Sequence, residues 1–324
     1  MTEGASRSSA AATSPRLHVV VTCSNRKKLA VPAALQVGAL SNYLPRQRVV
    51  EWTRRLSEPA QDSVAAESLY AGEHWAAASR LVSLTSSRAR LWVCSAGYGL
   101  IPARATVRSY AATFSLRQRD SVGRSSAENR DWWSALSEWV GPEPGAPRSF
   151  SDLARRNPED TVVVVLSDTY LRACSEDLLR AARQLRDPQR LTIVGPAQAA
   201  PDLDDLVVAV NARMRSAVGG SLLALNVRVA QRLVGAMTPN PQTHARSYLR
   251  SLAEELAATA PAWVSRSPGN RMTDDEVRAF IRPLAGAGPT SASRLLRRLR
   301  DAGNSCEQRR FKQLFDEVSR DVCC

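Results

Sequence analysis

Residues 17–28 read LHVVVTCSNRKK, and this stretch decides the fold. The run from Leu17 to Cys23 is short and rich in β-branched residues, and it has no polar alternation. It ends at Cys23 in small polar residues followed by three cations, Arg26, Lys27 and Lys28. A run of that length and character predicts a strand buried on both faces. Three further stretches share it: 90–95 (RLWVCS), 161–167 (TVVVVLS) and 190–195 (RLTIVG). Between them lie helical spacings over 63–86, through Leu69, Trp75, Leu81 and Leu84, and over 127–140 and 169–185. Strand alternating with helix predicts an α/β fold, a four-stranded parallel sheet in an α/β/α sandwich.

Working outward, residues 1–16 form a polar Ser/Ala/Thr tract expected to be a disordered tail, and residues 17–237 are the expected α/β domain. Residues 141–147, with three prolines and two glycines, predict a surface loop, while 206–210 and 221–234 carry a strand or helix pattern. The Pro/Asn-rich TPNPQTH at 238–244 predicts a boundary, and 238–324 reads as wholly helical, with helices over 243–259, 273–284, 290–302 and 305–321. The last three have the lengths of a helix-turn-helix or winged-helix unit. The middle one carries Arg294, Arg297 and Arg298, which suit DNA phosphates or, equally, a solvated face over a bundle held by Leu295, Leu296 and Leu299.

Composition narrows the function. The 324 residues carry 44 basic against 31 acidic groups, a formal charge of +13, which points to a polyanionic partner. All but three of the basic residues are arginines, and a GC-rich genome accounts for part of that bias. No stretch has the roughly 18 apolar residues of a membrane helix, and the N-terminus has no apolar signal core, so a soluble intracellular chain is expected. The six cysteines contain no CxxC pair and the three histidines stand apart from them, which argues against a structural zinc or disulfide framework. The chain has no phosphate-binding GxxxxGK[ST] loop, no GxGxxG after a strand, and no HExxH or HxE with PCxxC. ATP hydrolysis, dinucleotide redox chemistry and zinc deamination are excluded on that ground, and no histidine follows a predicted strand end to complete a Ser/His/Asp triad. No cofactor or metal is expected.

Ligands of an open parallel sheet gather at the carboxyl ends of the strands, so four clusters are candidates. After the first strand, Cys23, Ser24 and Asn25 offer polar groups and backbone N–H, and Arg26, Lys27 and Lys28 offer charge, or the segment is an ordinary turn with a solvated basic run. After the second, Ser95 and the glycines around Tyr98, with Tyr110 beyond, permit an aromatic face against a bound ring, or simple core packing. After the third, Asp168 is either a helix cap or a carboxylate able to orient water and stabilise a cationic sugar. Past 221–224, Asn226 reads a base edge or positions water and Arg228 binds phosphate, with cap and surface roles equally open.

Cys23, Ser24, Lys27 and Lys28, the following Glu67 and Tyr70, the SAGYGLIP stretch at 95–102 and Tyr110 together resemble a bacterial family of uncharacterised domains related to a DNA-binding peroxide stress protein. They are also similar to the uracil-DNA-glycosylase-like domain of archaeosine synthases. The likeness covers 17–114, and 162–170 more loosely. The stretch SASRLLRRLRDAGNSCEQRRF at 291–311 looks like a module that accompanies such domains in DNA modification and phage defence. The chain resembles most the phage-defence DNA glycosylases that remove glucosylated hydroxymethylcytosine. It lacks the water-activating and histidine loops of true uracil-DNA glycosylases.

The resemblance implies a uracil-DNA-glycosylase-like fold and a bacterial cytoplasmic enzyme acting on double-stranded DNA with modified bases. Its reaction is N-glycosidic hydrolysis that leaves abasic sites. Placed on that reaction, Asp168 stabilises the oxocarbenium-like sugar, and Asn25, Asn226 and the Ser95–Gly99 backbone receive the leaving base. Tyr98 or Tyr110 stacks on it, while Arg26, Lys27, Lys28, Arg104 and Arg228 meet phosphates. With so few lysines near the pocket, a monofunctional enzyme is expected rather than a Schiff-base lyase. A base-exchanging transglycosylase and a non-enzymatic DNA-binding protein are the alternatives.

Overall fold

The computed structural model describes residues 15–59, 62–85, 89–260, 269–285 and 291–322. Most of the expected N-terminal tail and the Cys323–Cys324 pair lie outside them. The chain forms two compact units, Met1–Ala262 and Trp263–Cys324.

The first unit runs β1 (Leu17–Thr22), α1 (Pro45–Ser57), β2 (Val64–Ala65), α2 (Ala66–Leu69), α3 (Glu73–Ala78), β3 (Ala89–Ser95), β4 (Gly99–Pro102) and β5 (Thr106–Val107). It continues through α4 (Ser126–Glu138), α5 (Phe150–Arg156), β6 (Thr161–Val165), α6 (Asp168–Gln184), β7 (Leu191–Gly195), β8 (Val207–Ala209), α7 (Arg215–Val218), α8 (Leu225–Gly235) and α9 (Arg246–Thr259). Its centre is a six-stranded sheet in the order β4-β3-β1-β6-β7-β8, parallel except for β4. β1, β6 and β7 are buried along their whole length, as continuous Val/Ile runs require when helices cover both faces. One layer holds α1, α4, α5 and α6; the other holds α3, α8 and α9.

The four expected strands are present, and the sheet is larger than the expected four because one edge was misread and the other left open. Gly99–Pro102 is not a binding turn: it folds back antiparallel on β3, pairing Ser95 with Gly99 and Trp92 with Pro102. Gly99 at φ +71° closes that tight hairpin in a conformation open to glycine. At the other edge, β8 resolves the open pattern at 206–210 as a strand.

The single helix expected over 63–86 is divided. Gly72 at φ +98° breaks it, and Val64–Ala65 pairs instead with Thr106–Val107. The boundary expected at 238 is also displaced, to 262/263. Helix α9 belongs to the first unit because it packs on β8, and its buried Arg246 donates to the carbonyls of Pro188 and Leu191 at 2.6 and 2.7 Å.

The second unit contains β9 (Asn270–Arg271), α10 (Asp274–Ala285), α11 (Ala292–Asp301), β10 (Asn304–Ser305) and α12 (Gln308–Val322), with β9 and β10 paired in parallel. Val277, Ile281, Leu295, Leu296, Leu299, Phe311, Leu314 and Val318 make its core. Among the described residues no helix is long and apolar enough to cross a membrane.

Candidate active site

The strand order reverses at β1. The chain goes from β1 to β3 on one side and returns as β6 on the other, which is the point where an open parallel sheet offers a crevice outside its strands' carboxyl ends, here those of β1 and β6. Two of the four predicted clusters meet there, the turn after β1 and the start of α6.

On the β1 side, the backbone N–H of Cys23 bonds to Cys94 O at 3.0 Å. Cys23 Sγ lies 3.1 Å from Tyr170 Oη on α6, a contact that spans the crevice. Ser24 Oγ donates to Ala71 O at 2.7 Å and accepts from the Arg26 backbone at 3.2 Å, which fixes the turn. Asn25, Arg26 and Lys28 are exposed, and the Asn25 side chain has no hydrogen-bond partner among the described residues.

On the β6 side, Asp168 is the first residue of α6, behind Ser167 as N-cap. Its side chain is 45% exposed and accepts from Arg172 at 2.9 Å. It therefore keeps accepting capacity at a helix N-terminus. Asn226, on the first turn of α8, donates to Leu166 O at 2.9 Å. That bond spends one donor, and the amide oxygen has no partner among the described residues.

Sequence reasoning missed His74. Its Nε2 lies 3.1 Å from both Thr22 O and Thr22 Oγ1, at the carboxyl end of β1. Burial lowers its pKa against the bond to Thr22 O, which raises it, so the ring is neutral near pH 7. With Nε2–H donating to the carbonyl, Nδ1 is the acceptor nitrogen, and it has no partner among the described residues. No strand precedes His74 in sequence; the break at Gly72 starts a new helix whose second residue reaches back to β1.

The preceding residue, Glu73, organises the crevice lip. Its carboxylate accepts from Ser221 N at 3.0 Å and from Arg228 at 3.0 Å, while Arg215 donates to Gly220 O at 2.7 Å. Gly219 and Gly220, at φ +71° and +80°, turn the chain there. The result is a tethered turn that holds Leu222 and Leu223 outward, the latter 90% exposed. Arg228 is thus committed to Glu73 rather than standing free for phosphate.

The cluster after β3 is interior. Tyr98 and Tyr110 are core residues with 1% and 0% exposure, so neither offers an open face to a ring. Tyr98 Oη accepts from Arg108 N at 2.9 Å. Tyr110 Oη lies 2.6 Å from Ser95 Oγ and 2.9 Å from Tyr70 Oη. Burial pushes the phenols of Tyr70, Tyr98, Tyr110 and Tyr170 up, keeping them protonated. Arg104 is outside the crevice: antiparallel β4 delivers it to the opposite end of the sheet, where it meets Glu143 at 3.1 Å. Lys27 also departs from the expected phosphate role, since its amine turns inward to lie 4.3 Å from the Tyr110 ring centroid.

Arg294, Arg297 and Arg298 belong to the second unit. They are exposed on α11 with no side-chain partner among the described residues, while Leu295, Leu296 and Leu299 face its core. Among the described residues no three His, Cys, Asp or Glu side chains cluster as a metal ion requires.

Comparison with protein-family models, with curated proteins and with solved structures finds no match to this chain. The likeness carried by the CS turn and SAGYGLIP rests on those residues alone.

Proposed function

We propose that this chain is a DNA N-glycosylase of uracil-DNA-glycosylase-like architecture, monofunctional and hydrolytic. Its particular substrate on this reading is glucosylated 5-hydroxymethylcytosine in phage DNA, removed to leave abasic sites that block replication. The observation that carries the reading is the switch in strand order between β1 and β6: Asn25 follows β1, Asp168 follows β6, and Asn226 on a third element bonds to Leu166 O just past β6. Cleavage of an N-glycosidic bond builds positive charge on the sugar and negative charge on the base. Asp168 supplies the carboxylate for the first, and the amides of Asn25 and Asn226 contact the second.

Three further features support a duplex DNA partner. Net charge is +13 and the exposed cations Arg26 and Lys28 sit on the crevice turn. The Leu222–Leu223 turn beside the crevice has the form of an apolar wedge that enters between base steps when a nucleotide is extruded. Finally, Arg294, Arg297 and Arg298 give the second unit a row of exposed cations for phosphates. That same row favours the second reading, a non-enzymatic DNA-binding protein.

The test is incubation with phage DNA containing glucosylated hydroxymethylcytosine beside unmodified DNA. Released base is read by mass spectrometry and abasic sites by alkaline cleavage. Release from modified DNA only, lost in Asp168→Asn, is the expected result. Binding without release from either DNA would refute the enzyme and leave the binding protein. Release only when a free incoming base is supplied would select base exchange.

A further inference from the structure

Of the three cations after β1, Lys27 alone folds inward. Its Nζ donates to Ser24 O at 3.2 Å and lies 4.3 Å from the Tyr110 ring centroid and 5.8 Å from that of Tyr70. Among the described residues no carboxylate stands within ion-pair distance of it. Of the three N–H donors of the ammonium only one meets a hydrogen-bond acceptor, and the residue is only partly buried, beside Ser24, the second residue past β1.

The bed beneath the amine is rigid. Ser95 Oγ accepts from the backbone N–H of Gly97 and of Tyr98, both at 3.0 Å, so its own hydrogen goes to Tyr110 Oη at 2.6 Å. Tyr110 in turn donates to Tyr70 Oη at 2.9 Å. A side chain at Gly97 is excluded, because a Cβ there would stand 2.4 Å from the Tyr110 ring. The glycine and serine of SAGYG thus serve to hold one tyrosine face under Lys27. Burial lowers the Lys27 pKa, while Cys23 at the end of β1 and Asp120 in the 116–121 turn raise it. The other groups around it, Tyr70, Tyr110 and Ser95, are neutral. An amine in this setting gives up a proton more readily than a surface lysine.

We propose that Lys27 is the proton donor to the departing base. The proposal rests on the glycosylase reading above. In the step, the bond from C1′ to the base nitrogen breaks and its electron pair leaves with the base, which takes a proton from Lys27 Nζ. Water adds to C1′ and its proton passes to the Asp168 carboxylate; Lys27 regains a proton from solvent. No covalent bond forms to the amine, so the role is compatible with a monofunctional enzyme.

Single-turnover base release from the modified duplex, measured against pH, tests this. The unchanged protein should lose rate at high pH as Nζ deprotonates. Lys27→Met should be about a hundredfold slower and lack that limb, within the span expected of a general acid. Its deficit should shrink with a more electron-poor analogue of the base, whose anion departs unaided; a merely structural role would not produce that dependence. Should Lys27→Met not fold, Lys27→Arg carries the same test, since it keeps the charge but holds its proton across the range. A rate within threefold of the unchanged protein in the folded variant, or a borohydride-trapped adduct on Lys27, would overturn the proposal alone. No release by the unchanged protein from any modified duplex would overturn the glycosylase reading and this proposal with it.

Discussion

Asp177 lies two and a half turns along α6 from Asp168, and it offers the sharpest test of what holds the crevice in place. Its carboxylate is 1% exposed. Oδ2 accepts from Trp133 Nε1 at 3.0 Å and Phe150 N at 2.8 Å; Oδ1 accepts from Ser151 N at 3.1 Å and Ser151 Oγ at 2.6 Å. One side chain on α6 therefore ties down α4 and the start of α5. Asp177→Ala strands two buried donors, Trp133 Nε1 and Phe150 N, and the half-buried Ser151 N, while the fourth donor, Ser151 Oγ, can still bond to Ser149 Oγ. At about 1–3 kcal/mol for each unmet group, with the sum reduced because they share one site, the loss is about 4 kcal/mol. Asp177→Asn keeps the volume. Its amide nitrogen does least harm facing Ser151, whose hydroxyl turns to accept from it, leaving only Ser151 N unmet at a cost of about 2 kcal/mol. With a urea slope of about 3 kcal/mol/M, the midpoint should fall by about 1.3 M for alanine and about 0.7 M for asparagine, followed by tryptophan fluorescence. Midpoints of both variants within about 0.2 M of the unchanged protein would refute the reasoning.

Three other outcomes follow from the same geometry. His18 Nε2 donates to Asp160 at 2.9 Å, and Trp92 Nε1 donates to His18 Nδ1 at 3.0 Å. Burial pushes the Asp160 carboxyl up, but the bonds from His18 and Arg16 outweigh it and its pKa is lowered. A lowered carboxyl contributes stability above its unfolded pKa of about 3.9 and loses it as pH falls through the folded value. Chemical denaturation of Asp160→Asn should be destabilised near pH 7 and show a flatter decline below about pH 4; an unchanged acid limb would contradict this. Leu223→Ala should leave the melting temperature within about 1 °C, because the side chain is already in water, yet slow base release at least tenfold; equal rates would remove the wedge. Reversing Arg294, Arg297 and Arg298 to glutamate should weaken DNA binding and flatten the salt dependence of log K by about 3, near 0.9 for each phosphate contact, in a titration from low to high salt.

The sheet was legible because its central strands are continuous apolar runs, a signal that needs no partner to be read. Leu17–Thr22 and Thr161–Val165 sit where their valines place them. Helix α1 went unread, because its charged residues hide the apolar stripe of Val49, Trp52 and Leu56 behind Pro45. The edges were harder. Gly99–Pro102 looks like a binding turn because glycines, an aromatic and a proline share eight residues, and only pairing with β3 makes a strand of them. The break at Gly72 was equally hidden, since Leu69 and Trp75 keep an apolar spacing across it.

The crevice divides along a related line. Asn25 and Asp168 were legible because position after a strand in a parallel sheet is a topological property, and strand order follows from a few crossover rules. His74 and Tyr170 were not, because their partners, Thr22 and Cys23, lie 52 and 147 residues away and no local pattern announces them. The inward turn of Lys27 has the same cause. In sequence it is one of three adjacent cations and nothing distinguishes it from Arg26 or Lys28; in space only its amine has an aromatic face beneath it. That face is available because Gly97, 70 positions along the chain, has no Cβ to displace the Tyr110 ring. A glycine that looks permissive in sequence is therefore obligatory in the fold. Gly97→Ala should disturb the Lys27 amine while leaving every residue of the crevice turn unchanged in sequence.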